Sequence, residues 1–133
     1  MNDILRQKIK DLPEKSGVYI MYSESGQILY IGKAKVLKNR VSQYFNAGVK
    51  TEKVARMVAK IHTFDYIITR NEVEALVLEN NLIKKHKPPY NILLKDDKSY
   101  PFIRIDVKAD FPRVEVVRRL KADGAKYFGP YMQ

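Results

Sequence analysis

The sequence contains no cysteine. This absence excludes a disulfide framework, a thiolate zinc site and a cysteine nucleophile, and it suits a reducing compartment. No apolar run approaches the length of a membrane-spanning helix, and the first twelve residues mix charges with apolar residues. We therefore expect a soluble, cytoplasmic protein without membrane contact.

Histidine is scarce, and a glycine-rich phosphate loop is missing. His62 and His86 have no partners at metal-ligand spacing, so we interpret both as solvated or structural residues. The glycines at 26 and 48 fit turns rather than a phosphate-binding loop. The usual sequence signals for a histidine metal centre and a nucleotide-binding loop are therefore absent.

Acidic residues are sparse where basic ones cluster. The net charge is +10, and between positions 33 and 60 eight cations face a single anion, Glu52. Such density favours a polyphosphate partner, because each neutralised phosphate releases counterions and the field steers encounter. The alternative is a basic surface that serves solubility alone. Four lysines are the predicted DNA contacts: Lys35, Lys38, Lys84 and Lys85.

The length of 133 residues fits one domain, residues 1–133. Because the sequence ends on an aromatic turn at 127–131, we expect it to be the N-terminal part of a longer chain. Apolar periodicity predicts helices at 2–11, 35–46, 52–61 and 71–86, and strands at 17–22, 28–33, 65–70, 102–107 and 113–118. The prolines at 88 and 89 end the last of these helices, and after residue 92 we expect an extended chain.

Two tyrosine-bearing runs, 17–22 and 28–33, predict a β-hairpin. Its register decides whether Tyr19 and Tyr30 share a sheet face. A symmetric five-residue turn would separate them, and we expect a bulge or a four-residue turn that unites them.

Two predicted helices each carry a charge inside an apolar arc. At 100° per residue Arg40 falls between Val36 and Tyr44, and Glu79 falls between Ala75 and Ile83. A buried charge is costly unless it is paired or binds an ion. One reading is a structural salt bridge between Arg40 and Glu79. The other is a site in which Glu79 binds a divalent cation and Arg40 binds phosphate oxygens.

The second reading suits phosphodiester hydrolysis, which needs an activated water and positive charge for the phosphate and the leaving oxygen. With one carboxylate available, a single Mg²⁺ or Mn²⁺ that keeps several waters is more credible than a two-metal site. A tyrosine would position or deprotonate the water. Lys33 and Lys35 are close enough in sequence to favour a phenolate.

The motifs Gly17-Val18-Tyr19 and Tyr30-Ile31-Gly32, followed by Arg40, Glu79 and Asn91, resemble those of the GIY-YIG nuclease family. The first motif departs from the family name at Val18, a conservative change in a strand. The resemblance implies an α+β fold, with a small central antiparallel β-sheet flanked by helices. The alternating segments after residue 101 predict an extra C-terminal β-hairpin.

The resemblance also implies residue roles. Tyr30 would be the general base, and Tyr19 and Tyr44 would position water or phosphate. Lys33 and Arg40 would stabilise phosphate charge. Glu79 would bind the metal, and Asn91 would brace the site.

Downstream segments such as 78–85 and 127–131 resemble the branch of this family that acts in bacterial nucleotide excision repair. That branch cuts the damaged strand on the 3′ side of a lesion. The implied partners are double-stranded DNA carrying a lesion and the other repair subunits, including UvrB, bound through regions that this sequence lacks. Two alternatives are a nucleic-acid-binding module without catalysis and a restriction or junction-cleaving nuclease of the same family.

Overall fold

A computed structural model describes residues 2–94, 101–107 and 110–131 of the chain. Part of the predicted turn between the last two strands, residues 108 and 109, lies outside these ranges. The elements are α1 (Asp3–Lys10), β1 (Gly17–Tyr22), β2 (Ile28–Ala34), α2 (Leu37–Phe45), α3 (Glu52–Lys60), β3 (Thr63–Ile68), α4 (Glu72–His86), α5 (Pro89–Leu93), β4 (Phe102–Asp106), β5 (Arg113–Val117) and β6 (Lys126–Phe128). The predicted α+β class is confirmed.

The first sheet is antiparallel and has the strand order β2-β1-β3. Tyr19 pairs with Gly32 and Met21 pairs with Tyr30, while the register shifts between Met21 and Tyr22. The predicted bulge is thus present. Because directly paired residues share a face, Tyr19 and Tyr30 are diagonal neighbours on one side of the sheet.

Helices cover both faces of this sheet. On the tyrosine face, buried side chains of α1, α2 and α3 pack against the strands, with Leu5, Leu37 and Met57 as examples. On the other face, Ala75 of α4 packs against Val18, Ile20 and Ile31. Side-chain caps start α3 and α4, since Thr51 accepts a hydrogen bond from the Val54 amide and Asn71 accepts one from the Glu74 amide.

Two glycines allow close approaches that the fold requires. A Cβ at Gly32 would overlap the ring of Tyr19, whose Cε2 would lie only 2.9 Å away. A Cβ at Gly17 would overlap the Ile67 carbonyl oxygen and lie 2.7 Å from Leu37 Cδ1. Each motif glycine therefore makes room for a neighbour, and Gly32 in particular lets Tyr19 lie flat across β2.

The edge strand β2 is covered by the two later helices. Asn91 of α5 accepts a hydrogen bond from the Ile31 amide at 2.9 Å and donates one to the Ile31 carbonyl at 2.8 Å. Glu79 of α4 accepts one from the Lys33 amide at 2.6 Å. Residues 31 and 33 point their backbone groups away from β1, so α4 and α5 satisfy the outer edge of the sheet.

The second sheet has the order β5-β4-β6 and packs against α4 through β5. The prediction of a hairpin at 102–118 is confirmed, but the expected turn at 127–131 is wrong at its start, because Lys126–Phe128 pairs with β4. The extended chain expected after residue 92 includes β4, and residues 95–100 of it lie outside the described ranges. The short helix before it had no counterpart in the sequence prediction. Pro89 opens the short helix α5, a position where its missing amide hydrogen costs nothing.

Among the described residues, no helix has both the length and the apolar character needed to cross a membrane.

Candidate active site

Three tyrosines from three elements form a cluster on the face of the first sheet that packs against α1, α2 and α3: Tyr19 of β1, Tyr30 of β2 and Tyr44 of α2. Their ring centroids are 6.2 Å (Tyr19 to Tyr30), 5.7 Å (Tyr19 to Tyr44) and 6.4 Å (Tyr30 to Tyr44) apart. The hydroxyls of Tyr19 and Tyr44 are hydrogen-bonded at 2.7 Å. The three phenols therefore lie together, and Tyr19 and Tyr30 share a face of the sheet as predicted. Tyr19 is buried, and the other two are partly exposed.

Glu79 is buried, with 3% of its surface exposed, as its place in the helical arc predicted. The hydrogen bond from the Lys33 amide holds its Oε2 atom at the end of β2. The carboxylate is therefore fixed against the strand that carries Tyr30.

The prediction that Arg40 is buried in the apolar arc is wrong, because its side chain is exposed. The arc was counted from Val36, but Val36 is the extended residue before α2, which begins at Leu37. Counted from Leu37 and Val41, Arg40 lies at the edge of the buried face. Its guanidinium carbon is 5.7 Å from the centroid of the Tyr44 ring, a cation–π arrangement.

Arg40 and Glu79 line the same open cavity of about 430 Å³, together with Tyr19, Tyr30 and Lys33. Within residues 2–94, no ion pair joins Arg40 to Glu79, so the salt-bridge alternative is not what the fold contains. Opposite charges thus face one solvent-accessible space without neutralising each other.

Burial raises the pKa of Tyr19 well above its usual value, and the nearby Tyr30 and Tyr44 phenols add to the rise. Burial also raises the pKa of Tyr30, with further contributions from Tyr44 and from the Glu79 carboxylate. The Arg40 guanidinium opposes the rise in both. Both tyrosines are therefore neutral phenols at neutral pH in the protein alone.

The expectation that Lys33 and Lys35 favour a phenolate is not met in this arrangement. Their ammonium groups lie 3.5 Å and 3.7 Å from the two carboxylate oxygens of Glu72. Glu72 lies in the first turn of α4, where a negative charge also suits the helix dipole. Its place on the cavity wall could have been suspected, since the N-terminal turn of a helix carrying Glu79 lies near the same site.

The remaining predicted residues divide between the cavity and the surface. Lys35 lines the cavity, whereas the ammonium of Lys38 donates a hydrogen bond to the Lys10 carbonyl at 3.2 Å. Lys84 and Lys85 are exposed near the C-terminal end of α4 and do not line the cavity. Sequence reasoning did not identify three further lining residues: Asn39, Gln43 and Arg118.

The donor set fits one hard divalent cation that keeps most of its waters. Glu79 presents a buried carboxylate to a cavity with room for water ligands, and no cluster of three or more His, Cys, Asp or Glu residues occurs in the described part of the chain. Mg²⁺ is commonly bound in this way, by one or two carboxylates and several waters.

Comparison with known proteins gives a consistent picture. The family model described as the UvrC-like GIY-YIG domain matches residues 15–92. The UvrABC system protein C of Acetivibrio thermocellus is 59% identical over 128 residues, which is 96% of this chain and 20% of that protein. That of Clostridium botulinum strain Langeland is 58% identical over 129 residues, 96% of this chain and 21% of that protein. The chain thus spans about a fifth of the length of these curated relatives.

Solved structures of the GIY-YIG N-terminal endonuclease domain of UvrC from Thermotoga maritima are also similar. The one described as bound to its catalytic divalent cation, magnesium, has a TM-score of 0.61 and 46% identity, and the match covers 68% of this chain and 98% of that one. A point mutant with alanine in place of an asparagine, also described as cation-bound, has the same score and identity at 97% coverage of that chain. On this sequence match and this fold, the chain belongs to the UvrC-like GIY-YIG domain family.

Proposed function

We propose that this chain is a divalent-metal-dependent DNA endonuclease domain, with Glu79 as the metal-binding residue. One observation carries the proposal: Glu79 and Arg40 face the same tyrosine-lined cavity without pairing with each other. A carboxylate for a cation, a guanidinium for a phosphate and phenols for a water are the parts that phosphodiester hydrolysis requires. The family relation to cation-bound endonuclease domains supports it.

The positively charged side chains of Arg40 and Lys33, which line the cavity, would bind the scissile phosphate. Arg40 is exposed at the cavity edge and is charged at neutral pH, because a guanidinium does not lose its proton there. A guanidinium can bind two phosphate oxygens at once. Lys33 adds a second positive charge, held in place by Glu72.

The phenols orient the attacking water. Tyr19 and Tyr44 share a hydrogen bond, which holds their hydroxyl oxygens 2.7 Å apart. Tyr30 lies beside them on the Glu79 side of the cluster, where it would accept a proton from water at its Oη atom. A divalent cation bound at Glu79 would supply positive charge for the leaving oxygen and would favour the phenolate form of Tyr30.

The DNA substrate and partners follow from the relatives. Proteins 58% and 59% identical to this chain are named UvrABC system protein C, which supports a role in bacterial nucleotide excision repair and hence a cytoplasmic location. The proposed reaction is cleavage of the damaged strand on the 3′ side of a lesion. UvrB and the other subunits would bind regions outside this sequence.

The substitution Glu79→Gln tests the proposal. Glutamine keeps an oxygen that can accept the Lys33 amide hydrogen bond, so the fold is retained, but the negative charge for the cation is lost. We expect Mg²⁺- or Mn²⁺-dependent nicking of supercoiled plasmid DNA to disappear while DNA affinity is unchanged or higher.

The matched control is Glu74→Gln, which removes an exposed carboxylate from the same helix and should leave nicking intact. Nicking at the wild-type rate by the Glu79→Gln protein would refute the metal-binding role. If the unaltered chain binds DNA but never nicks it under any divalent cation, the non-catalytic binding module is the correct reading.

A further inference from the structure

A second cavity, of about 690 Å³, adjoins the active-site cavity that Glu79 lines. Tyr30, Arg40 and Gln43 line both spaces. From these residues the second cavity, called the flanking cavity below, extends to residues 49–54 at the start of α3 and to residues 93 and 94 at the end of α5. Its volume lies in the usual range for small-ligand sites, about 300–1,000 Å³. A substrate bound at Arg40 therefore has room to continue into the flanking cavity.

The flanking cavity has more positive than negative charge. Its basic residues are Arg40, Lys50 and Lys53, and Glu52 is the acidic residue among its lining residues. The Glu52 carboxylate forms an ion pair with Arg56 of the same helix, which balances its charge within α3. The ammonium of Lys50 donates a hydrogen bond to the Asn46 carbonyl, a neutral partner that does not compensate the charge. The flanking cavity therefore suits anionic groups such as phosphates.

Apolar side chains line the same space, and some of them are unusually exposed. Val49 is fully exposed, and 51% of the Leu93 surface is accessible to solvent. Val54, Leu94 and Tyr44 are half-buried in the same lining. Exposed apolar residues are ordinary when they are scattered, but apolar residues grouped in a groove with a polar rim mark a binding site.

A nucleotide has the two kinds of surface that this lining can bind. Its phosphate is an anion, whereas its base presents a flat, largely apolar face. Lysine and arginine contact the backbone of a nucleic acid, and aromatic or apolar side chains contact the faces of its bases. An inorganic anion would leave Val49 and Leu93 without a contact, and a purely apolar ligand would leave the lysines without one.

We propose that the flanking cavity binds the nucleotide next to the scissile phosphate, with its base against Val49 and Leu93 and a backbone phosphate at Lys53. This inference rests on the proposed function, in which Arg40, a lining residue of both cavities, binds the scissile phosphate. A base within a duplex is stacked and paired, so the base that enters must be unpaired. The site would therefore favour DNA that is already opened beside the cut.

The test compares two single-stranded DNA ligands of equal length, an oligothymidylate and an abasic strand that has the same phosphates but no bases. Both carry fluorescein, and binding is measured by anisotropy over a range of salt concentrations, without divalent cations so that the DNA stays intact. The variants are Val49→Ser and Lys53→Ala. The matched controls are Ile4→Ser and Lys10→Ala, which change an exposed apolar residue and an exposed lysine of α1 outside the lining of both cavities.

We expect Val49→Ser to weaken binding of the oligothymidylate by about fivefold, through the loss of apolar contact area, and to leave binding of the abasic strand unchanged. Lys53→Ala should weaken binding of both strands by a similar factor. It should also lower the log–log salt slope by about 0.7, the value for one lost phosphate contact on a single strand. Ile4→Ser and Lys10→Ala should match the unaltered chain.

An equal effect of Val49→Ser on the two strands, or no effect on either, would overturn the inference, because no base would then lie against Val49. An unchanged salt slope for Lys53→Ala would overturn it as well, as would an unaltered chain that binds neither strand. Failure of the proposed function has a different signature, namely wild-type nicking by Glu79→Gln. Circular dichroism of each variant separates loss of contact from loss of fold.

Discussion

The Glu79 carboxylate contributes to the raised pKa of Tyr30 but is not among the causes that raise the pKa of Tyr19. This difference in electrostatic surroundings separates the role of Tyr30 from that of its neighbours. Tyr19 and Tyr44 bond to each other, whereas Tyr30 has the carboxylate that would bind a cation on its side. We therefore propose that Tyr30, rather than Tyr19 or Tyr44, accepts the proton.

The substitution Tyr30→Phe keeps the ring and removes only the hydroxyl. If Tyr30 accepts the proton of the attacking water, the nicking rate should fall by about 10² to 10⁴, the usual contribution of a general base. The control is Tyr22→Phe, because Tyr22 packs against the opposite face of the sheet. Equal rates for the Tyr30→Phe and unaltered proteins would show that Tyr30 is a packing residue.

Gly32 is required by the tyrosine beside it, not by its own backbone angles. A methyl group there would overlap the Tyr19 ring, so Gly32→Ala should displace that ring and break its hydrogen bond to Tyr44. We expect a loss of about 1–3 kcal/mol in the free energy of unfolding, measured by urea denaturation, together with slower nicking. Gly48→Ala is the control, since a Cβ at Gly48 meets no atom within 4 Å.

At the level of elements, two residues of the site, Asn91 and Glu79, are hydrogen-bonded to the outer edge of β2. Asn91 occupies both backbone groups of Ile31, and Glu79 occupies the amide of Lys33 two residues later. The strand that carries Tyr30 thus holds the carboxylate at a fixed distance from the phenol. Any change that loosens this edge should affect stability and nicking together.

The substitution Asn91→Ala would leave the Ile31 amide and carbonyl without their partner. We expect it to lower the free energy of unfolding by about 1–3 kcal/mol in chemical denaturation and to slow nicking through a misplaced Glu79. Asn81→Ala removes an exposed asparagine from α4 and should change neither quantity. Unchanged stability in the Asn91 variant would mean that water replaces the side chain at no cost.

Element-level prediction from the sequence succeeded where periodicity was strong. The arc of α4 located Glu79 correctly, because one apolar face of a long helix fixes its orientation. The bulge in the first hairpin was expected from the need to unite two tyrosines. The start of α2 was placed two residues early, and this error alone moved Arg40 from the edge of the buried face to its centre.

Other features had no local signal. The pairing of Glu72 with Lys33 and Lys35 joins residues more than 35 positions apart, and an acidic residue in the first turn of a helix is already accounted for by the helix dipole. The strand at Lys126–Phe128 is only three residues long, too short for an alternating pattern to be read. The place of Arg118 on the cavity wall depends on how β5 packs against α4, which no spacing within either segment reveals.

At the scale of the whole molecule, the buried tyrosines should make the free energy of unfolding decrease at alkaline pH. The pKa values of Tyr19 and Tyr30 are raised in the folded protein, whereas in the unfolded chain both phenols titrate near pH 10. Their contribution is therefore fully present below about pH 10 and is lost as the pH rises beyond that value, since only the unfolded chain releases the protons.

We expect the free energy of unfolding to fall between about pH 9 and about pH 11 in urea denaturation, and Tyr19→Phe to show a smaller fall over the same range. Comparing the two proteins cancels the effect of every group that they share. An identical pH dependence in both proteins would contradict the raised pKa of Tyr19.

The tyrosine cluster also gives the cavity an optical signal of its own. The chain has nine tyrosines and no tryptophan, so ultraviolet emission comes from phenols alone. Three of them have ring centroids within 6.4 Å of one another, beside the cavity that Glu79 and Arg40 line. A cation or nucleotide entering that space should alter the emission directly, so occupancy can be titrated on the unlabelled protein.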